Sequence, residues 1–451
     1  MNTPASRDKR GIIKLTIINV VDAPCGYGKT SWAIKYMNSM PKDSHQFIYV
    51  TPFLEEVERV KSSVTNRQFY DPLAKDGETK LDDLHKMLGE GKDICTTHAL
   101  FQMANQQTKE LLRVNRYTLI LDEVINVIEQ VKLKKDDIKF LEKAEAISTV
   151  LRENGLKYIS WNEDIKDYDT QYNKVKNIAL TNNLMICEDS ALIWNFPCEI
   201  FSSFHNVFLL TYMFKGQIQK AYYDLHKVGY RYLSVKMVDK EYELVPYTDR
   251  NPYDKKQLQE NINIYEGHLN EIGGRAYSLS SSWFKKPDKK DLIVVLKKNA
   301  RNYLMNINSA KSEAVMWTTV KGDSIKGGNK GKISSKVAPR GYSKSFVPMN
   351  SRATNQYNER YILAYLVNRF MNPILTRFFE QYNVEIDQDT WALSELIQWV
   401  WRSRIRENES INIYIPSNRM RGLLKSYLNN DRFEEAPKNA IVDELSGDWN
   451  I

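Results

Sequence analysis

Ala23-Pro24-Cys25-Gly26-Tyr27-Gly28-Lys29-Thr30 is the stretch from which the fold can be read. An apolar run, Ile12 to Val21, precedes it and reads as a buried strand, and Ser31 to Met37 follows as a helix. Strand, glycine loop, Lys-Thr, helix is the context of a phosphate loop. Gly26 and Gly28 let the backbone curl until its N–H groups point inward at an anion. The next helix adds the positive end of its dipole. Lys29 can reach the outer phosphates, and the Thr30 hydroxyl can ligate Mg2+. The expected cradle is Pro24, Cys25, Gly26, Tyr27, Gly28, Lys29, Thr30 and Ser31.

The matching element is Tyr117-Thr118-Leu119-Ile120-Leu121-Asp122-Glu123. Five mostly apolar residues ending in two carboxylates predict a central parallel strand, with the acids at the edge where open α/β sheets bind ligands. Asp122 is expected to hold Mg2+, and Glu123 to orient and deprotonate an attacking water.

The 451 residues allow two or three domains. A hydrophobic content of 42% supports real cores and excludes global disorder. No apolar run approaches the roughly 20 residues of a membrane span, and Met1 to Lys14 lacks a signal-type core, so a cytoplasmic protein is expected. Cys25, Cys95, Cys187 and Cys198 show no paired short spacing, which argues against zinc and disulfides. The net charge of +8 permits a polyanionic partner.

Further along, His45 to Val50 reads as a strand, with Thr51 as N-cap and Pro52 as first residue of the next helix. Asp93 to Leu100 reads as strand, polar turn, helix, with His98 as a capping or packed histidine. Residues 131–177 are charged and predict a helical insertion. Strands return at Leu184 to Ile186 and Val207 to Thr211, the second closing a first domain near residue 215. Tyr230 to Val235 and Tyr242 to Val245 alternate as strands about the turn Asp239-Lys240. Residues 320–345 are rich in Gly, Ser and Lys and read as a basic loop, either a flexible surface linker or a nucleic-acid contact for which Trp283 and Phe284 before it and Trp317 beside it could stack on bases. Ser345 to Pro348 reads as a strand and Asn350 to Asn355 as a polar loop. Ile362, Leu363, Leu366, Val367, Phe370 and Met371 predict a helix that Pro373 stops.

Thr390 to Glu407 predicts an arginine helix. Leu393, Leu396, Ile397, Val400 and Trp401 fall on one face. Glu395, Gln398, Arg402 and Arg406 fall on the other, within a stripe of about 80°. Two guanidinium groups on one stripe suit an anionic ligand and charge developing during phosphoryl transfer. A strand, Ser410 to Pro416, and a helix, Arg419 to Leu428, follow, and residues 433–451 form an acidic tail.

With these residues in order, the chain resembles a superfamily 2 helicase of DEAD/DEAH-like type. Val21 to Thr30 resembles motif I, Tyr49 to Pro52 motif Ia, Cys95 to His98 motif Ic, Asp122 to Ile125 motif II and Leu209 to Tyr212 a degenerate motif III. Asn350 to Asn355 falls where motif V belongs, and Gln398 to Arg406 resembles motif VI, which supplies arginine fingers. The pattern Asn-x-Arg-Ala-Thr-Asn with Gln-x-x-x-Arg-Ser-x-Ile-Arg is similar to helicase-like proteins of bacteriophages and prophages. The resemblance implies an α/β fold of two RecA-like P-loop NTPase domains in tandem, residues 1–215 and 216–432. It implies ATP and Mg2+ as cofactors, with Gln398, Arg402 and Arg406 completing the site. Nucleic-acid contacts are implied at Thr51, Thr97, Arg352, Thr354 and Asn355. Single-stranded DNA is the expected partner, alongside replication or recombination proteins. The rival readings are a nucleic-acid-dependent ATPase switch that remodels or loads other proteins without unwinding, and a packaging ATPase, whose second half should carry a nuclease carboxylate cluster.

Overall fold

A computed structural model describes residues 16–42, 45–75, 77–250, 255–322, 332–349, 355–429 and 439. The chain divides into two compact units, each an α/β body with its own parallel sheet. The first comprises Met1–Arg250, Asn372–Ile386 and Pro437–Ile451; the second comprises Asn251–Met371 and Asp387–Ala436.

In the first unit the strands are β1 (Ile18–Asp22), β2 (Gln46–Thr51), β3 (Phe69–Tyr70), β4 (Asp93–Thr97), β5 (Tyr117–Asp122), β6 (Ile128–Val131), β7 (Ile147–Leu151), β8 (Lys157–Trp161), β9 (Leu184–Cys187), β10 (Ala191–Asn195), β11 (Asn206–Thr211), β12 (Tyr230–Val238) and β13 (Glu241–Pro246). Eight of them form one sheet in the order β13-β12-β1-β11-β5-β2-β4-β3, parallel throughout except for β13. Parallel strands covered on both faces need apolar residues on both, and β1, β5 and β11 are near-continuous apolar runs for that reason. Val20, Leu119, Leu121 and Leu209 enter the core on one face. Val21, Ile120, Phe208 and Leu210 enter the core on the other, as the two-residue period of a strand requires. Helix α1 (Lys29–Ser39) covers that second face with Trp32, Ala33 and Met37.

Residues 131–177 are not a helical insertion. Strands β6 to β10 form a separate antiparallel sheet in the order β6-β10-β9-β8-β7, with helices Lys135–Lys143 and Asn173–Leu180 packed into the same local core. Edge strand β7 buries only Ile147, and its exposed residues obscure the alternation that marks a strand. The first unit also extends past residue 215: β12 pairs in parallel with β1, and the division falls after Arg250.

The second unit holds β14 (Ile262–Ile264), β15 (Val315–Thr318), β16 (Ile362–Tyr365) and β17 (Ile411–Tyr414), all parallel, in the order β14-β17-β16-β15. The helix expected from Ile362 to Met371 is instead strand β16 followed by residues without regular secondary structure. Pro373, expected to stop a helix, opens the one spanning Pro373–Gln381, where its fixed φ suits the first turn. A short apolar run satisfies either period, and pairing on both sides of β16 decides for the strand. Phe346 makes only an isolated bridge, to Trp317, in place of the expected strand. Trp283, Phe284 and Trp317 lie in the core of this unit and have no face for a base. Of the basic loop, residues 323–331 lie outside the described residues. Beyond them Ile333–Val337 is a short helix whose Ile333 and Val337 are buried. Apart from Asn439, which accepts a hydrogen bond from the Tyr232 N–H at 2.9 Å, the acidic tail lies outside the described residues.

Candidate nucleotide site

The loop after β1 has the backbone its glycines predict. Gly26 (φ 83°) and Gly28 (φ 80°) both occupy the left-handed region, and Gly28 caps α1. The Lys29 ammonium is folded back onto the loop, donating to the carbonyls of Ala23 at 2.6 Å and Pro24 at 2.9 Å. Lys29 is buried while Thr30 is half-buried. An amine held on two neutral carbonyls is well placed to exchange them for phosphate oxygens, which are better partners for a cation.

The loop is anchored from below by Asp22. Its carboxylate accepts from the backbone N–H groups of Met213 and Phe214, both at 2.9 Å, at a turn where Met213 is left-handed (φ 55°). Burial raises the Asp22 carboxyl to about 6, against the lowering pull of those two N–H groups, Lys29 and Arg250. The Ser234 hydroxyl donates to the Asp22 carbonyl at 2.9 Å. The start of the phosphate loop, the turn after β11 and strand β12 are thereby joined at one residue.

Strand β5 delivers Asp122 and Glu123 to the same edge of the sheet, β11 lying between β1 and β5. The Glu123 N–H donates to the Leu210 carbonyl at 2.8 Å, and Glu123 turns left-handed (φ 70°), an uncommon backbone for a side chain of its size. Its Oε2 is buried without a hydrogen-bond partner among the described residues. Such an atom fits a group that awaits a water. Asp122 Oδ2 accepts from the Tyr49 hydroxyl at 2.9 Å, and its carbonyl lies 2.9 Å from His98 Nε2. Burial, then the neighbouring Glu123, raises the Asp122 carboxyl to about 7, with the Tyr49 hydrogen bond opposing. A divalent cation would lower it again by its own charge. The oxygen donors of Thr30 and Asp122 suit Mg2+, which usually takes one or two protein ligands and completes its shell with phosphates and water. Among the described residues no group of three or more His, Cys, Asp and Glu could hold a metal by itself.

The arginine helix is shorter than expected. The helix Gln388–Val400 ends at Trp401, Ser403 is extended (ψ 179°), and Arg404–Glu407 is a separate 3-10 turn. Arg402 and Arg406 therefore share no helical stripe with Gln398. Arg402 is buried, and its guanidinium donates to the carbonyls of Pro348 and Met349, each at 3.0 Å. Arg406 is exposed, Gln398 is half-buried, and Glu395 pairs with Arg369 at 2.8 Å. Arg404 stacks over Tyr361 at 4.2 Å and donates to the Ser410 carbonyl at 2.6 Å.

Of the expected nucleic-acid residues, Thr51 ends β2, fully buried, and its hydroxyl meets no solvent. The helix after it, α2 (Leu54–Ser63), is capped at Phe53, so Thr51 is not its cap. Thr97 precedes the short helix His98–Phe101 at the same sheet edge. Arg352 and Thr354 lie outside the described residues, and Asn355 opens a 3-10 turn. Sequence reasoning placed Asp22 in motif I and Tyr49 in motif Ia but gave neither a role of its own. Tyr49 aligns with Ile120 in the β2–β5 pairing, two residues short of Asp122, a proximity fixed by strand register.

Comparison with known proteins matches residues 128–194 to a family described as the YonV middle domain, and residues 256–428 to the YonV C-terminal Rossmann-like domain. The first range is the antiparallel sheet β6 to β10, and the second contains β14 to β17. The SPbeta prophage-derived uncharacterized protein YonV of Bacillus subtilis (strain 168) is 43% identical over 425 residues, which span 92% of this chain and 99% of that protein. Among solved structures, XPD_APO gives a TM-score of 0.48 at 11% identity, covering 92% of this chain and 96% of that one. The structure of S. tokodaii Xpd4 gives 0.45 at 9% identity, covering 91% and 94%. Likeness at that level says nothing about activity.

Proposed function

The chain belongs to the YonV family, and from its own site we propose that it is an Mg2+-dependent ATP hydrolase that acts as a helicase-like motor on nucleic acid. The observation that carries the proposal is the pairing of two features on one sheet edge. One is a left-handed glycine loop with Lys29 poised on its carbonyls; the other is Asp122-Glu123, with a Glu123 carboxylate oxygen that has no hydrogen-bond partner among the described residues.

In this reading Lys29 leaves the carbonyls of Ala23 and Pro24 for the outer phosphates, and the loop N–H groups and the α1 terminus cradle the rest. Thr30 and Asp122 would hold Mg2+, which neutralises charge on the outer phosphates when bound. Glu123 accepts the proton of the attacking water through its carboxylate. The nucleic acid is proposed to be held near Thr97 and by Arg352, Thr354 and Asn355. Phosphate contacts of that kind position a strand without reading its sequence. Single-stranded DNA is the proposed track, and phage replication or recombination the proposed setting.

The test is Glu123→Gln, assayed with and without single-stranded DNA. Hydrolysis should fall by about 10²-fold or more, the range for a lost general base, while nucleotide affinity stays within a few-fold. Wild-type turnover in that variant would remove Glu123 from the reaction. A wild-type chain that hydrolyses ATP but never displaces a paired strand would be a switch.

A further inference from the structure

The hairpin β12–β13 has a geometry that the hydrolytic reading leaves unused. Strand β12 pairs with β1 only as far as Val21 opposite Leu233. It then continues five residues to Val238, paired there only with β13 among the described residues. At about 3.3 Å per residue, the hairpin projects roughly 16 Å past its last pairing with β1, alongside the phosphate loop. Asp239 and Lys240, both left-handed, make its tip. Two contacts hold the second strand against α1: Glu241 pairs with Lys35, and Tyr242 and Leu244 pack on the core beneath the helix. Tyr242 lies over the loop itself, so closely that a Cβ on residue 28 would stand 2.2 Å from its Cε1. Tyr242 is half-buried, and the rest of it is open.

The direction of a bound nucleotide follows from the strand order. Asp122 and Glu123 lie on β5, on the β11 side of β1. The reacting phosphate must face them, so an extended triphosphate points its nucleoside the other way, toward β12 and β13. There the aromatic side chain nearest the last glycine of the loop is Tyr242.

We propose that the β12–β13 hairpin is a nucleoside platform and that Tyr242 stacks on the base of the bound nucleotide. The inference rests on the nucleotide reading above and adds to it a residue that recognises the purine through its π face. Stacking is indifferent to the hydrogen-bonding edge of a base, so ADP and GDP should bind within a few-fold of each other.

The test is calorimetric binding of Mg·ADP and of inorganic tripolyphosphate to the full chain and to Tyr242→Phe, Tyr242→Leu and Tyr242→Ala. Tyr242→Leu keeps volume against α1 without an aromatic face, so it reads the stack if Tyr242→Ala folds poorly. Expected are an ADP affinity within about twofold of wild type for Phe, and a loss of about tenfold or more for Leu and Ala, the size of one base–aromatic stack. Tripolyphosphate affinity should be unchanged in all three. Leucine that binds ADP as tightly as tyrosine would overturn the platform and leave the hydrolase reading intact. Equal losses of ADP and tripolyphosphate would make Tyr242 a support for the loop, overturning it also. A wild-type chain that binds neither ligand would fail the nucleotide reading itself.

Discussion

Gly28→Ala is expected to destabilise the first unit through two separable costs. Residue 28 sits at φ 80°, where an L side chain costs about 1–2 kcal/mol. The new methyl would also stand 2.2 Å from Cε1 and 2.3 Å from Cδ1 and Cζ of Tyr242. Carbon atoms at rest lie about 3.5–4.0 Å apart, so ring or loop must move by more than an ångström, at about 1–3 kcal/mol for overpacking. The single variant should lose about 2–5 kcal/mol in total. Only the second cost depends on the ring. In Gly28→Ala/Tyr242→Ala the overlap disappears while the backbone strain stays, so the double variant should be more stable than the summed singles by about 1–3 kcal/mol. With two units in the chain a single melting curve mixes transitions. Amide hydrogen exchange of α1 in rising urea reads the affected region directly. Additivity within about 0.5 kcal/mol would mean that the hairpin does not lie on the loop in solution.

Arg402→Ala removes a buried guanidinium from the carbonyls of Pro348 and Met349 and should lower stability by about 2–4 kcal/mol. Exposed Arg406→Ala should stay within about 0.5 kcal/mol. If Arg402→Ala loses turnover at an unchanged melting temperature, the guanidinium acts on the nucleotide and its backbone bonds are incidental. His226, with Nε2 2.8 Å from Asn195 Oδ1, is pushed by burial from 6.5 down to about 4. The unfolded chain therefore binds its proton more readily, and this histidine's contribution is present above pH 6.5 and lost as pH falls toward 4, at most about 3 kcal/mol. Asp22, raised to about 6, pulls the other way between pH 4 and 6. The quantity to measure is thus wild type minus His226→Gln across pH 4 to 7; a flat difference would refute the histidine's part. Excising residues 323–331 should leave the melting temperature unchanged, since the Ile333 N–H donates to the Gly322 carbonyl at 3.3 Å and the ends already meet. Losing Lys326 and Lys330 should flatten the salt dependence of DNA binding by about 0.7–0.9 per contact. An unchanged slope would leave those lysines without a phosphate.

The phosphate loop and the Asp122-Glu123 strand were legible because each is decided locally: glycines, a Lys-Thr pair and an apolar run carry their own geometry. Pairing across the sheet is not local. Whether Ile362 to Tyr365 coils or extends depends on β15 and β17, far away in sequence, and the run itself satisfies either period. The stop at Trp401 was hidden because Ser403 and Arg404 are ordinary helix residues; their conformation goes with the bonds from Arg404 to the Ser410 carbonyl and from Arg402 to residues 348 and 349. Tyr242 was read correctly as part of a strand, yet no pattern in the sequence announces that its ring lies over Gly28.

The helix Pro373–Gln381 belongs to the first unit although the chain around it builds the second. Leu375, Phe378 and Phe379 complete the core that contains Cys187 and Tyr158, and the Tyr382 hydroxyl accepts from the Lys157 N–H at 3.1 Å. During synthesis from the N-terminus, then, the first unit waits with an open apolar seat while more than a hundred further residues leave the ribosome. A fragment ending at Arg250 would keep that seat bare and should aggregate, whereas the same fragment supplied with a 372–386 peptide should be rescued. For the same reason a single protease cut near residue 250 should not release two independent bodies, because the chain crosses between the units again on either side of this helix.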